Sequence, residues 1–231
     1  MKMNSRRIIK IGHRGAAGHR PENTLAALEQ AIALDADYVE VDIQQTCDGH
    51  LVLMHDKFVD RTTNGTGKLS DMRWDDLRSL DAGNGQRIPS LPELLEAANN
   101  RVALILESIT PGIGLKVHQQ VVSMTFREPV IFSSFHHADI AAIREVDSKA
   151  LTMALLEAVP IARAAFALDA GATHAGIALD TMTSEFGEAL HEAGLQVFLY
   201  TADSPEQIGL AKELGADGII SNFPERIQIS G

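Results

Sequence analysis

Two short apolar runs in this chain end in histidine. Ile8-Ile9-Lys10-Ile11-Gly12 leads into His13-Arg14-Gly15, and Leu51-Val52-Leu53-Met54 leads into His55-Asp56. The β-branched residues of the first run favour a strand, and its glycines let the backbone turn tightly beside a ligand. Both histidines thus arrive where α/β proteins present reactive groups, at strand C-terminal ends. Such a pair can act as general acid and general base near neutral pH, and Arg14 offers a planar fork of donors to an anion. Between the two runs, Tyr38 to Gln45 alternates strictly, sending Glu40, Asp42 and Gln44 to one face and Val39, Val41 and Ile43 to the other. Along a strand the Glu40 and Asp42 backbones are roughly 6 to 7 Å apart, a spacing one divalent cation can bridge. Oxygen ligands suit Mg²⁺, Ca²⁺ or Mn²⁺, and Glu107, at the end of a later strand, can add a third. An inward-facing strand makes uncompensated carboxylates costly, which favours the metal reading over solvated charges. Two histidines, an arginine and a divalent ion suit a phosphodiester. One histidine deprotonates the attacking hydroxyl and the other protonates the leaving alkoxide, while the ion and Arg14 stabilise charge on the phosphoryl oxygens.

The elements that must position these groups follow in order. After the first strand, Asn23 or Thr24 is the expected N-cap of a helix carrying Leu25, Leu28 and Ile32 on one face. The acidic strand, an Asp48-Gly49 turn and the 51–54 strand come next. The stretch from Asp60 to Arg87 is rich in Gly, Asn, Asp and Thr and reads as a looped insertion, with a small amphipathic piece around Trp74, Leu77 and Leu80. Ser90-Leu91-Pro92-Glu93 has capping-box spacing with proline in the first turn. Strands are then expected at 103–107, 130–133, 150–153, 173–177, 196–200 and 218–221, mostly separated by helical stretches. With the first strand and the acidic strand this makes eight parallel strands, the 51–54 strand being an excursion. Eight strand–helix units predict an α/β fold, a closed TIM (β/α)₈ barrel with a small insertion after the second barrel strand. A single domain is expected over 1–231, with the excursion strand and insertion within about 46–90; an open doubly wound sheet would not need eight units.

Acidic residues outnumber basic ones, 31 to 20, for a formal charge of −11, which argues against nucleic acid as a partner. Lys2, Arg6 and Arg7 precede an apolar run too short for a signal-peptide core or a membrane span, so a cytoplasmic protein is expected. Cys47 is the only cysteine, excluding an intrachain disulfide and a cysteine-built zinc site.

His13-Arg14-Gly15, Pro21-Glu22-Asn23-Thr24, Glu40-Val41-Asp42, Asp48-Gly49, His55-Asp56, Arg61-Thr62-Thr63-Asn64-Gly65 and Gly218-Ile219-Ile220-Ser221-Asn222-Phe223-Pro224 occur in that order along nearly the whole chain. Together they resemble the glycerophosphodiester phosphodiesterase family. The resemblance implies hydrolysis of glycerophosphodiesters to glycerol 3-phosphate and an alcohol. It also implies one divalent ion on Glu40, Asp42 and Glu107, acid/base roles for His13 and His55, and phosphate binding by Arg14. In that family the substrate's own glycerol hydroxyl is thought to attack phosphorus, giving a cyclic phosphate that water opens. Glu22 is the neighbouring residue expected to make a polar site contact.

Two positions depart from the family pattern. Ile109 stands where members usually carry a lysine, two residues after the third metal ligand, and Lys116 can replace it only if the loop folds back. Tyr200 stands where members usually have a tryptophan that packs on the glycerol, so an aromatic face is kept with an altered pocket. The lost cation motivates two alternatives, a degenerate barrel that binds phosphorylated ligands without efficient turnover and a phosphodiesterase with a different alcohol or head group. An amidohydrolase-type barrel is disfavoured because the first strand ends in His13-Arg14 instead of two histidines one residue apart. A Schiff-base aldolase is disfavoured because no expected strand ends in lysine.

Overall fold

The computed structural model describes residues 7–228; Lys2 and Arg6 lie outside them. The chain runs β1 (Ile9–Gly12), α1 (Leu25–Ala33), β2 (Tyr38–Gln45), β3 (Leu51–Leu53), α2 (Trp74–Leu77), α3 (Leu91–Ala98) and β4 (Ala103–Ser108). It continues through α4 (Gly114–Ser123), β5 (Val130–Ser134), α5 (His137–Val146), β6 (Leu151–Leu156), α6 (Ala165–Asp169) and β7 (His174–Ala178). The last elements are α7 (Ser184–Glu192), β8 (Gln196–Tyr200), α8 (Pro205–Glu213) and β9 (Gly218–Ser221). Eight of the strands are parallel neighbours in the order β1-β9-β8-β7-β6-β5-β4-β2, and pairing of β1 with β2 closes the barrel. β3 pairs antiparallel with β2 and stands outside the ring, as the excursion reading requires.

Alternation along β2 places the strand between two environments. Val39, Val41 and Ile43 are buried beneath the helices, in one cluster with Leu28 of α1 and Leu94 of α3. The opposite parity points inward, above a barrel interior filled by Ile11, Ile105, Ile131, Met153, Leu155, Phe198 and Ile220. Burying one such side chain contributes about 1.5–3 kcal/mol, so this packed floor is rigid and the polar residues stacked on it are held in place. His174, on the inner parity of β7, is part of that floor, its ring 5.0 Å from Phe198, and has a packing role.

The insertion is more ordered than its turn-rich composition predicts. Val52, Met54, Val59, Leu69, Leu77, Ala82 and Ile88 form a small core of their own, with Trp74 packed against it. Three capped helix starts match their sequence signals: Thr24 accepts from Ala27 N, and Ser90 and Ser204 each complete a capping box. Among the described residues no helix is long and apolar enough to cross a membrane.

Candidate active site

The β1–α1 turn opens the site. Arg14 sits at φ +50° and Gly15 at φ +86°, and a Cβ on Gly15 would stand 2.5 Å from that of Ala27, so only glycine allows this close passage against α1. The turn aims the Arg14 amide at Glu40 Oε2, 2.9 Å away, and puts Arg14 Nε 3.1 Å from Asp42 Oδ2. Arg14 Nη1 donates to Glu22 Oε1 at 2.9 Å. One arginine thus ties the first strand end to the acidic strand.

Parallel pairing places Asp42 beside Glu107, and the carboxylates of Glu40, Asp42 and Glu107 bring one oxygen each within 4.8 Å of the others. Glu40 and Asp42 are 3% and 1% exposed, and Glu40 Oε1 has no hydrogen-bond partner. Burial, then the charges of Asp42 and Glu107, push the Glu40 carboxyl well above its ordinary value; burial and Asp42 push Glu107 up to about 8. Buried carboxylates so arranged repel when ionised and share a proton unless a cation joins them. The orphaned oxygen and the all-carboxylate donor set fit a hard divalent ion.

The two histidines are oriented through Nδ1. Asp203 takes Asn222 Nδ2 at 2.7 Å and the Asn222 amide at 2.8 Å, which turns Asn222 Oδ1 toward His13 Nδ1, 2.8 Å away. His13 therefore carries its proton on Nδ1 and presents a bare Nε2. Burial, then Arg14, lowers its pKa below 6.5, with Asp42 and the Asn222 hydrogen bond opposing. Across the mouth, His55 Nδ1 donates to Asp56 Oδ1 at 2.7 Å, and the Arg61 hydrogen bond holds the Asp56 carboxyl below the usual carboxylate range. Arg61 also grips both oxygens of Glu22, at 2.7 and 2.8 Å, so Arg14, Glu22, Arg61, Asp56 and His55 form one chain of charge-assisted bonds.

The sequence profile of the Glycerophosphoryl diester phosphodiesterase family matches residues 13–226. The chain belongs to that family. It is 33% identical to a glycerophosphodiester phosphodiesterase of Caldanaerobacter subterraneus subsp. tengcongensis over 96% of each chain. It is also 33% identical to one of Bacillus altitudinis over 94% of this chain and 95% of that one. Among solved structures, an Oleispira antarctica phosphodiesterase in complex with the product sn-glycerol-3-phosphate superposes with a TM-score of 0.88 at 26% identity, covering 94% of both chains.

Within this family member, Glu40, Asp42 and Glu107 converge, His13 and Tyr200 line a cavity with Glu40 and Glu107, and Glu22 joins Arg14 at the rim. Burial, then Glu157, Glu107 and Asp180, holds the Tyr200 phenol above its ordinary range; its hydroxyl donates to Leu156 O at 3.3 Å. Lys116 does not compensate for Ile109: its ammonium donates to Gly49 O in the β2–β3 turn. Of the other histidines, His137 donates to Leu155 O, and His118 packs on Phe132 and bonds Asp147.

Three residues of the site were not assigned to it by sequence reasoning. Asn23, at φ +57°, donates to Asp42 Oδ2 at 2.7 Å and accepts from the Asp42 amide, leaving Thr24 as the cap. Arg61 is the second cation of the rim. Asn222 follows β9, whose Ser221 pairs with Gly12, so barrel closure itself puts it beside His13. Asn222→Ala is expected to lower kcat about 10- to 100-fold with little change in melting temperature, read by steady-state kinetics and thermal denaturation. An unchanged kcat would show that His13 needs no orienting partner.

Proposed function

We propose that this protein hydrolyses glycerophosphodiesters to glycerol 3-phosphate and an alcohol, with a divalent ion on Glu40, Asp42 and Glu107 and His13 and His55 as the proton-transfer pair. The observation carrying this reading is the joint presence, at one end of the barrel, of a buried carboxylate cluster and a neutral, Nε2-free His13, with Arg14 between them. When bound, the ion supplies Lewis-acid stabilisation of charge on the phosphoryl oxygens.

The residues then divide the work. Arg14 grips a phosphoryl oxygen and screens Asp42. His13 Nε2 removes the proton from the glycerol hydroxyl next to the phosphate ester, which attacks phosphorus with the advantage of an intramolecular nucleophile. His55, held by ionised Asp56, gives a proton to the departing alkoxide as its bond to phosphorus breaks, leaving a cyclic phosphate. Water opens the ring with the two histidines exchanging roles, its proton passing to the now neutral His55.

Purified protein with Mg²⁺, Ca²⁺ or Mn²⁺ and glycerophosphocholine or glycerophosphoethanolamine should release glycerol 3-phosphate, and no turnover with any of these ions would falsify the assignment. The base must be unprotonated, and its pKa is lowered, so activity persists into mild acid. The acid limb of kcat/KM, at saturating metal, is expected below pH 6.5. An acid limb above pH 6.5 would remove His13 as the base.

A further inference from the structure

Among the described residues two buried hydroxyls have nothing to bond, Thr152 Oγ1 on the helix side of β6 and Ser133 Oγ inside the barrel, and of the two Ser133 lines a cavity. Ser133, on β5, is 1% exposed, and its Oγ has no hydrogen-bond partner. Its neighbour Ser134 shows what a structural serine does here, donating from Oγ to Ser108 O at 2.8 Å. A buried polar group left unpaired costs about 1–3 kcal/mol, and a strand serine could be alanine at no loss of packing. Ser133 instead pairs in register with Glu107 and lines the same small cavity as His13 and Glu40, closed by Met153, Leu155 and Ile220.

We infer that Ser133 Oγ binds the terminal hydroxyl of the substrate's glycerol, the one that neither attacks phosphorus nor carries the phosphate. This rests on the phosphodiesterase reading above. The cavity's free volume is about 30 Å³, room for about two water-sized groups, which is the size of a CH₂OH. Its polar side, His13, Glu40 and Glu107, belongs to the reacting end of the site, and its apolar side suits carbon. The head group is the part of the substrate that must leave, so it needs an open path, whereas the glycerol is common to every substrate and can occupy an enclosed recess. Tyr200, which also lines an open cleft of about 510 Å³ with Glu157 and Asp180, separates the two sides. Sites that hydrogen-bond a substrate hydroxyl discriminate strongly against analogues lacking it, because the protein group is then left unpaired. A hydroxyl aimed into a CH₂OH-sized recess also excludes an acyl ester at that oxygen.

The test is a two-by-two cycle on the Mg²⁺-loaded protein. Wild type and Ser133→Ala are each assayed on glycerophosphocholine and on its propane-1,2-diol analogue, which keeps the attacking hydroxyl and lacks only the terminal one. Wild type should prefer the glycerol compound by about 10- to 100-fold in kcat/KM. Ser133→Ala should lose most of that preference, chiefly through a raised KM, while its rate on the analogue stays near wild type. Its melting temperature should not fall, since the hydroxyl has no partner to lose. Calorimetry with glycerol 3-phosphate and propane-1,2-diol phosphate gives the same comparison without turnover, so a protein that hydrolysed neither diester would sink the activity and still test Ser133. Equal losses on both substrates would mean that Ser133 serves a bound water or the ion, and an undiminished preference would mean that it serves nothing; either overturns the inference. So would turnover of a lysophospholipid acylated at the terminal oxygen.

Discussion

Arg14→Ala should lower kcat/KM by about 10² to 10³, the usual loss when one preorganised donor to a developing anion is removed. The effect is expected at the upper end because no lysine follows the third carboxylate: Ile109 is apolar, and Lys116 is spent on Gly49 O. Arg14 also neutralises its surroundings. Its guanidinium is bonded to Glu22 and lies 3.1 Å from Asp42, so without it the site's carboxylates lose their nearest cation. The backbone adds little to the loss, since alanine at φ +50° bears the same Cβ strain as arginine. Arg14→Lys keeps the charge but not the fork that spans Glu22 and Asp42, and should recover only part of the activity. Near-normal kcat/KM in Arg14→Ala would transfer the phosphate to Arg61, the other cation bonded to Glu22.

Glu107→Gln is expected to separate stability from activity. In the metal-free protein the Glu107 carboxyl titrates at about 8, against an ordinary value of 4.5. A raised folded pKa means that the folded state holds more protons than the unfolded chain between those values. The contribution is therefore fully present below pH 4.5 and is lost as pH rises through about 8. Metal-free wild type should thus melt progressively lower from pH 5 to pH 8, and a divalent ion, binding only the folded state, should restore most at the alkaline end. Glutamine cannot ionise, so metal-free Glu107→Gln should melt roughly 5 to 10 °C above wild type at pH 8. Turnover should nevertheless fall on the order of 10² to 10³-fold as an oxygen ligand is weakened. Scanning calorimetry with and without chelator, beside a coupled glycerol 3-phosphate assay, reads both. A variant that melts lower than wild type in the metal-free state at pH 8 would contradict the strained-carboxylate account.

What could be read in the sequence was whatever has a period or ends a run. The inward parity of Glu40 and Asp42 follows from strict alternation, and His13 and His55 were visible as the ends of apolar runs. The eight units were countable because strands and helices repeat. The insertion has no period, so its small core around Leu69 and Leu77 was hidden behind Gly, Asn and Asp turns. Asn222 depends on closure of the barrel between β9 and β1, and Arg61 on a reach across 39 residues to Glu22. Such contacts are set by tertiary packing, to which local pattern is blind. Asn23 was misleading for a chemical reason, because its side chain suits a helix cap but is engaged by Asp42.

Gln44 lies two residues beyond Asp42 on the inner face of β2, and its Nε2 donates to the carbonyls of Met54, His55 and Asp56, at 2.9, 2.9 and 2.7 Å. β2 is therefore a ruler: positions 40 and 42 mark off the carboxylate cluster, and position 44 the loop that carries the second histidine. Inserting or deleting one residue just before Glu40 would turn all three marks to the helix layer together, and doing so between the marks would split them across the two faces of the sheet. Beyond the pinned carbonyls the insertion has its own core, and its exposed turns can lengthen, shorten or be exchanged at little entropic cost. Homologues of this chain are thus free to vary in the length of that outer lobe, while the spacing within β2 is not free to drift.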